Sequence, residues 1–193
     1  MEYLILSWLD VYNLTLQLSE RIVSSGFKPN VIVGIARGGW IPARILSDVL
    51  YMDTLQNIRI EYYTDVGAKG KEPKITQPLT GSMKGKIVLL VDEVADTGDT
   101  LQHAVDHIKS LGVTEVRSAV LHYKPTSIII PDYYMVETKS WIVYPWENRA
   151  SIISLIKAFR EEDASLSLKQ LRDKLVFEVG FEPTVADYFM ERL

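Results

Sequence analysis

The sequence predicts an α/β fold, a mostly parallel sheet flanked by helices, with a helical C-terminal extension of about three helices. Two apolar runs without polar alternation, at 30–36 and 87–91, are typical of strands buried on both faces of a parallel sheet. Helical stretches alternate with these runs, and strand–helix–strand alternation indicates a parallel sheet. From Glu147 onward only helical patterns remain. We therefore expect residues 1–146 to form the core and residues 147–193 the extension.

The first third of the chain predicts a helix, a strand and a second helix. The first helix should run from about Ser7, its N-cap, to Ser24, with Gly26 ending it. A buried strand at 30–36 and a helix at about 40–49 follow. The expected apolar stripe of the first helix comprises Trp8, Val11, Tyr12, Leu14 and Leu18.

The middle of the chain continues the alternation after one interruption. Residues 64–86 carry four glycines and two prolines with no steady period, which predicts a long mobile loop. Strands are expected at 58–63, from Ile87, and at 115–123, 133–137 and 141–143, with a helix at 99–111.

Three helices are predicted for the C-terminal extension. They span about 148–161, 167–175 and 184–192, and the last opens just after Pro183. Ser167 and Gln170 form a capping box. The aromatic residues expected to pack these helices are Phe177, Phe181, Tyr188 and Phe189.

Composition excludes several classes of protein. The 193 residues include no cysteine, so disulfides and cysteine metal sites are excluded. The formal net charge of −4 argues against a general binder of nucleic acid or anionic membranes. We see no signal peptide and no apolar run of the roughly 20 residues that span a bilayer. We expect a cytoplasmic protein that binds neither nucleic acid nor membrane.

The segment IVLLVDEVADTGDT, residues 87–100, is a buried strand that ends in acids and a tight turn. Ligands of parallel sheets bind at the carboxyl ends of strands. Gly98 permits close backbone approach, and successive N–H groups there, with the hydroxyls of Thr97 and Thr100, suit a phosphate monoester. Asp92 and Glu93 are good acceptors for sugar hydroxyls or Mg²⁺. Together they describe a cradle for ribose 5-phosphate. The plainer alternative is an acidic turn whose Asp99 caps the next helix.

This segment resembles the phosphoribosyl pyrophosphate (PRPP) signature of the type I phosphoribosyltransferases. The resemblance implies that Asp92 and Glu93 engage the ribose, with Mg²⁺ at or near them. It implies that Asp96, in the purine branch, lies near N7 of the base and acts as general base or acid. The residues implied to bind PRPP at its 5′-phosphate are Ala95, Asp96, Thr97, Gly98, Asp99 and Thr100.

The stretch Gly34 to Gly39 places one cation and bare backbone amides at the end of the preceding strand. This combination suits a second anion. It is similar to the pyrophosphate loop of the same family, which implies that Ala36, Arg37 and Gly38 bind pyrophosphate and that the Ala36–Arg37 bond is cis. The alternative is a turn with a surface arginine. The loop at 64–86 matches the family's flexible catalytic loop, from which Lys74 is the candidate for a pyrophosphate contact.

The stretch WIVYPWE, residues 141–147, resembles the nucleobase loop of bacterial xanthine–guanine phosphoribosyltransferases. By that resemblance Trp141 stacks on the base, Ile142 contributes backbone hydrogen bonds, and Glu147, usually Asp there, helps bind base or metal. Lys124 matches the lysine that donates to O6 of 6-oxopurines. The alternatives are core tryptophans and a surface lysine. The histidines do not form a metal site.

The resemblance implies a purine salvage enzyme that uses PRPP, Mg²⁺ and a purine base. Members of the family form dimers or tetramers, between which the sequence does not choose, and we expect a homodimer. Lys124 favours hypoxanthine, guanine or xanthine. A 6-oxopurine-like core followed by helices also resembles the crenarchaeal adenine phosphoribosyltransferases, so both classes of base stay open. A PRPP-sensing regulator is the alternative function. Residues 161–193 hold four basic and eight acidic side chains, a balance that argues against a DNA-binding tail.

Overall fold

The strands and helices follow the predicted alternation along the chain. The computed structural model describes residues 2–63 and 72–193. Its strands are β1 (Tyr3–Ile5), β2 (Val31–Ala36), β3 (Leu55–Tyr63), β4 (Glu72–Gln77), β5 (Ile87–Ala95), β6 (Glu115–Tyr123), β7 (Tyr133–Glu137) and β8 (Trp141–Val143). Its α-helices are α1 (Trp8–Ser24), α2 (Trp40–Val49), α3 (Asp99–Ser110), α4 (Asn148–Glu162), α5 (Leu168–Asp173) and α6 (Pro183–Met190).

A six-stranded sheet belongs to the larger of two compact units, residues 11–139. Its spatial order is β4-β3-β2-β5-β6-β7. All neighbouring strands are parallel except β3 and β4, which pair antiparallel. The predicted α/β class with a mostly parallel sheet is therefore confirmed.

Burial explains why β2 and β5 lie side by side at the centre. Residues 31–35 and 88–92 are buried without interruption, as expected for strands covered on both faces. Helix α3 packs on this core through Leu101, Ala104, Val105 and Ile108, the i, i+3, i+4, i+7 stripe of an amphipathic helix. The central strands are thereby fixed, and their carboxyl ends are held next to each other.

Residues 64–86 and helix α1 differ in detail from the prediction. The prediction of a loop at 64–86 is wrong for residues 72–77. These residues form β4, because they pair with the second half of β3. Residues 64–71 lie outside the described residues. In α1 the buried positions are Val11, Thr15, Leu18 and Ile22, whereas Trp8 and Tyr12, placed in the apolar stripe by the prediction, are exposed.

The second compact unit consists of residues 1–10 and 140–193. It contains a parallel pair, β1 with β8, that the sequence did not predict, and all of α4, α5 and α6. The capping box at Ser167 and Gln170 is confirmed. Helix α5 ends at Asp173, and a π-helical segment, Lys174–Val179, follows it. The boundary predicted between residues 146 and 147 stays a prediction.

The interior of the second unit is apolar and was predicted in part. Phe181 is buried and Phe189 packs against the core, as expected. Phe177 and Tyr188, also expected to pack, are exposed. A bidentate ion pair between Arg172 and Asp187 joins α5 to α6. Among the described residues, no helix is long and apolar enough to cross a membrane.

Candidate active site

A cavity of about 280 Å³ opens at the carboxyl ends of β2 and β5. It brings together the two loops that the sequence predicted to bind anions, through residues 36–38 of one and residues 95–98 and Thr100 of the other; Asp99 is not part of the lining. The polar part of its lining comprises Arg37, Gly38, Asp92, Glu93, Asp96, Thr97, Gly98 and Thr100. The apolar part comprises Ile35, Ala36, Ile60, Val94, Ala95 and Leu101. The topology therefore gathers most of the predicted PRPP residues around one space.

The turn 96–100, which we name the phosphate loop after its predicted ligand, leads directly into α3. Gly98 caps this helix with φ +83°, a left-handed backbone that glycine adopts without steric cost. The Thr97 hydroxyl donates to Asp99 Oδ2 at 2.7 Å, so these two side chains of the loop are hydrogen-bonded to each other. Asp99 also lies in the first turn of α3, where the helix dipole favours negative charge. The same terminus favours a phosphate.

The acids at the end of β5 form an ordered pair. Asp92 is buried and accepts a hydrogen bond at 3.0 Å from the backbone N–H of Glu93. Glu93 lies against Gly38, where an added Cβ would stand only 1.9 Å from Glu93 Oε1. Glu93 and the loop after β2 are therefore in direct contact.

This pair of carboxylates fits Mg²⁺. Among the described residues, no group of three or more His, Asp or Glu side chains is placed to hold a metal. Mg²⁺ is commonly bound through one or two carboxylates, with substrate oxygens and water completing its shell. Asp92 and Glu93 supply that number of protein ligands.

The turn 36–39, which we name the pyrophosphate loop after its predicted ligand, connects β2 to α2. The Ala36–Arg37 peptide bond is cis, as the resemblance implied. Gly39 caps α2 with φ −63°, and a Cβ there would meet the carbonyl oxygens of Val91 and Ile35 at 2.5 and 2.7 Å. Arg37 is exposed beside the cavity. The loop thus packs its backbone against the central strands and presents one cation outward.

Asp96 and Lys124 meet where β5 and β6 end. Lys124 Nζ lies 3.2 Å from Asp96 Oδ2, with the lysine side chain 19% and the aspartate side chain 59% exposed. A hydrogen-bond donor and an acceptor therefore stand side by side. One residue before the end of β6, burial lowers the pKa of His122 to about 4.

Comparisons with known proteins agree with this geometry. The profile of the phosphoribosyl transferase domain family matches residues 5–151. The hypoxanthine-guanine phosphoribosyltransferase of Schizosaccharomyces pombe is 31% identical over 73% of this chain and 87% of its own. Xanthine phosphoribosyltransferase 1 of Saccharomyces cerevisiae is 30% identical over 76% of this chain and 90% of its own.

A solved structure gives the same answer. The purine phosphoribosyltransferase of Pyrococcus horikoshii is 40% identical, with a TM-score of 0.69 over 76% of this chain and 94% of that one. The chain belongs to the phosphoribosyltransferase family. The predicted family membership is confirmed, and with it the prediction that the protein is a phosphoribosyltransferase enzyme.

Lys74 of this phosphoribosyltransferase does not lie in a loop as predicted. It is an exposed residue of β4, directly opposite Glu61 of β3. It is not among the described residues that line the cavity. Its contact with pyrophosphate stays a prediction.

Three of the four predicted nucleobase residues of the phosphoribosyltransferase belong to the second unit, whereas Lys124 belongs to the larger one. Trp141 is 39% exposed, and its backbone N–H donates to the carbonyl of Glu2 at 2.8 Å. Ile142 is buried and pairs with Leu4 of β1. Glu147 caps α4. Their roles stay predictions.

The apolar lining was missed as part of the phosphoribosyltransferase site. Ile35, Ile60, Val94 and Leu101 line the cavity, yet each belongs to an apolar strand or helix stripe. Nothing in the sequence separates such a residue from an ordinary core residue. Only the assembled strand ends identify it.

Proposed function

We propose that this phosphoribosyltransferase transfers the 5-phosphoribosyl group of PRPP to a 6-oxopurine, hypoxanthine, guanine or xanthine, in purine salvage. The observation that carries the choice of base is the contact between Lys124 Nζ and Asp96 Oδ2. A 6-oxopurine protonated at N7 presents an acceptor, O6, beside a donor, N7–H. A lysine donor beside a carboxylate acceptor complements that edge. The relatives named above, whose names specify hypoxanthine, guanine and xanthine, support it.

Adenine fits this pair of side chains less well. Its N6 amino group donates, so it would place a donor against the Lys124 ammonium, which can only donate. An unpaired buried donor costs roughly 1–3 kcal/mol, and a charged one more. Adenine is therefore the competing substrate that the assay must include.

Each end of PRPP has a proposed binder. The backbone amides and hydroxyls of the phosphate loop bind the 5′-phosphate, while Asp92 and Glu93 bind the ribose hydroxyls. Arg37 and the amides of the pyrophosphate loop bind the leaving group, with help from Lys74. Holding both substrates in line removes up to ~7–11 kcal/mol of barrier, because the entropy of their encounter is lost on binding.

The reaction breaks the bond between C1 of ribose and the pyrophosphate oxygen, and the electron pair leaves with pyrophosphate. A ring nitrogen of the purine forms the new bond to C1, and the proton of the purine passes to Asp96. The transition state resembles an oxocarbenium ion, as in other glycosyl transfers. When bound at Asp92 and Glu93, Mg²⁺ supplies charge neutralisation for the departing pyrophosphate.

The remaining assignments are part of the same proposal. Trp141 stacks on the base, Ile142 offers its backbone to the base edge, and Glu147 assists base or metal. Residues 147–193 form a helical extension to a core of residues 1–146. The enzyme works in the cytoplasm as a homodimer.

One assay tests the choice of base. Wild-type protein is incubated with PRPP, Mg²⁺ and, separately, hypoxanthine, guanine, xanthine and adenine, and each nucleotide product is measured. We expect turnover of at least one 6-oxopurine and much less of adenine. In Lys124→Gln the 6-oxopurine preference should shrink. Preferred use of adenine would overturn the base assignment. PRPP binding without any product would favour the regulator.

A further inference from the structure

Three consecutive carbonyl groups, that of Ala95 at the end of β5 and those of Asp96 and Thr97 in the phosphate loop, accept hydrogen bonds from one neighbouring segment. The backbone N–H of Lys124 donates to Ala95 O at 2.9 Å, the Thr126 hydroxyl to Asp96 O at 3.2 Å, and the N–H of Ile128 to Thr97 O at 2.8 Å. Every second residue of 124–128, which we name the clamp segment, thus holds one peptide of the loop.

Peptide geometry gives this ladder a consequence for the opposite side of the loop. In a trans peptide the carbonyl of one residue and the N–H of the next point in opposite directions. The carbonyls of residues 95–97 are turned toward the clamp segment, so the N–H groups of residues 96–98 are turned away from it. The cavity is lined by residues 95–98 and, among the described residues, by none of the clamp segment.

The clamp segment is itself held in shape. The N–H of Ser127 donates to Lys124 O at 2.9 Å, closing a β-turn with Pro125 at its favoured second position. The Ser127 hydroxyl donates to Ile129 O at 2.7 Å, and a Cβ on Gly98 would stand 2.2 Å from that hydroxyl oxygen. The phosphate loop therefore rests on a preformed turn.

We infer that the clamp segment orients the phosphate loop so that its N–H groups face the 5′-phosphate, and that Thr126 is a positioning residue. This inference rests on the proposed function. Thr126 touches neither phosphate nor base in this arrangement; it acts through the Asp96 carbonyl. A side-chain donor makes the middle link of the ladder, so a side-chain substitution removes that link.

Calorimetry with two probes separates the two loops. Ribose 5-phosphate carries the 5′-phosphate alone, and inorganic pyrophosphate addresses the other loop. Thr126→Val should weaken binding of ribose 5-phosphate about three- to tenfold, the value of one hydrogen bond, and leave pyrophosphate binding unchanged. Thr126→Ser, which keeps the hydroxyl, should bind like wild type. Thr114→Val, an exposed threonine at the other end of β6, is the matched control.

A backbone substitution tests a second link. Ile128→Pro removes the N–H that donates to Thr97 O, whereas Ile130→Pro introduces the same ring two residues away, and both isoleucine side chains are exposed. Only Ile128→Pro should weaken the binding of ribose 5-phosphate.

Steady-state kinetics test Thr126 in a second way. In Thr126→Val the KM for PRPP should rise with kcat little changed, because binding in the ground state and in the transition state is weakened equally. Thermal unfolding checks that each variant is folded.

The outcomes distinguish this inference from the function beneath it. Wild-type turnover with unchanged ribose 5-phosphate binding in both Thr126→Val and Ile128→Pro would overturn the positioning role and leave the proposed function standing. A wild-type protein that binds neither ribose 5-phosphate nor PRPP would overturn both. If Thr126→Val weakened the binding of pyrophosphate as much as that of ribose 5-phosphate, the cause would be a general loss of structure, and the positioning role of Thr126 would also be overturned.

Discussion

The pyrophosphate loop and the phosphate loop follow neighbouring parallel strands, yet their glycines serve different needs. Gly39 has an ordinary helical backbone, φ −63°, but no space for a Cβ, because strand carbonyls lie 2.5 and 2.7 Å from its position. Gly98 has φ +83°, and the atom nearest to its Cβ position is a side-chain hydroxyl. One glycine is required by close packing, the other chiefly by backbone handedness.

The loops also differ in what they offer a substrate. The pyrophosphate loop presents Arg37 and backbone, whereas the phosphate loop carries a carboxylate, Asp96, in contact with Lys124. A cation with bare amides can only bind an anion. A carboxylate beside a lysine can also take a proton, so chemistry is expected on one side of the cavity and anchoring on the other.

The largest effect should come from Asp96→Asn. Asparagine keeps the size of the side chain but cannot accept the purine proton, so kcat should fall about 10²–10⁴-fold. PRPP should still bind, which calorimetry with Mg²⁺ measures. Asp106→Asn, on the exposed side of α3, is the control and should retain full kcat. Unaltered kcat in Asp96→Asn would refute the assigned role.

Gly39→Ala should be the most destabilising change in either loop. The added Cβ meets backbone atoms of two central strands, and overpacking of this kind costs about 3 kcal/mol, the upper end of its usual range. Urea unfolding measures the loss directly. A variant as stable as wild type would show that the loop can shift, and that packing is not the reason for glycine here.

Gly38→Ala sharpens the same point one residue earlier. The three atoms nearest to its Cβ position all belong to the carboxylate of Glu93, at 1.9–2.3 Å, and a side chain can turn aside. Stability should change little, while KM for PRPP should rise about 10–100-fold, because a displaced Glu93 no longer accepts from the ribose. The two neighbouring alanine variants thus separate folding from binding. Loss of stability in both would erase that distinction.

The strand pattern and the loop chemistry could be predicted from the sequence for different reasons. Apolar runs such as 31–35 specify central strands by themselves, because both faces must be buried. The loops 36–39 and 96–100 were found because glycines, acids and hydroxyls in this order match one family. Strand β4 was missed, because residues 72–77 are polar and depend on pairing with β3.

Contacts between segments distant in the chain were beyond the sequence. Nothing in the sequence indicates the role inferred for Thr126, because its hydrogen bond to Asp96 O joins residues 30 positions apart. The exposure of Trp8 and Tyr12 was missed for a related reason. A helical period predicts that one face is buried, but which side chains bound that face depends on what packs against it.

A difference in pH response should accompany the difference between the loops. Across from the end of β2 lies Arg59, paired with Glu61 at 2.6 Å, whereas across from Val94 of β5 lies the buried His122. Burial lowers the pKa of His122 to about 4, from an ordinary value of 6.5. The folded state therefore excludes a proton that the unfolded chain binds.

The sign of the effect follows from linkage. The contribution of His122 to the free energy of unfolding is fully present above pH 6.5 and is lost as pH falls toward 4. The loss amounts to ~2 kcal/mol at pH 5. Urea unfolding at pH 7.5 and 5 measures it in wild type. In His122→Gln the drop between the two pH values should shrink by about that amount. A drop of the same size in the variant would assign it to other groups.

The smallest effect, in Gly98→Ala, has two separable parts. The left-handed backbone costs alanine roughly 1 kcal/mol, and contact with the Ser127 hydroxyl adds to it. Ser127→Ala removes the contacting oxygen but also loses the hydrogen bond to Ile129 O, so Ser127→Ala alone is the reference. In that background Gly98→Ala should cost less stability than in wild type, because the contact with the hydroxyl is gone while the backbone cost remains. Gly98→Asn in the Ser127→Ala background should then exceed Gly98→Ala in stability, because asparagine tolerates this backbone better. If Gly98→Ala cost no stability in the Ser127→Ala background, both glycines would be required only because a Cβ has no room. The contrast between the two loops would then disappear.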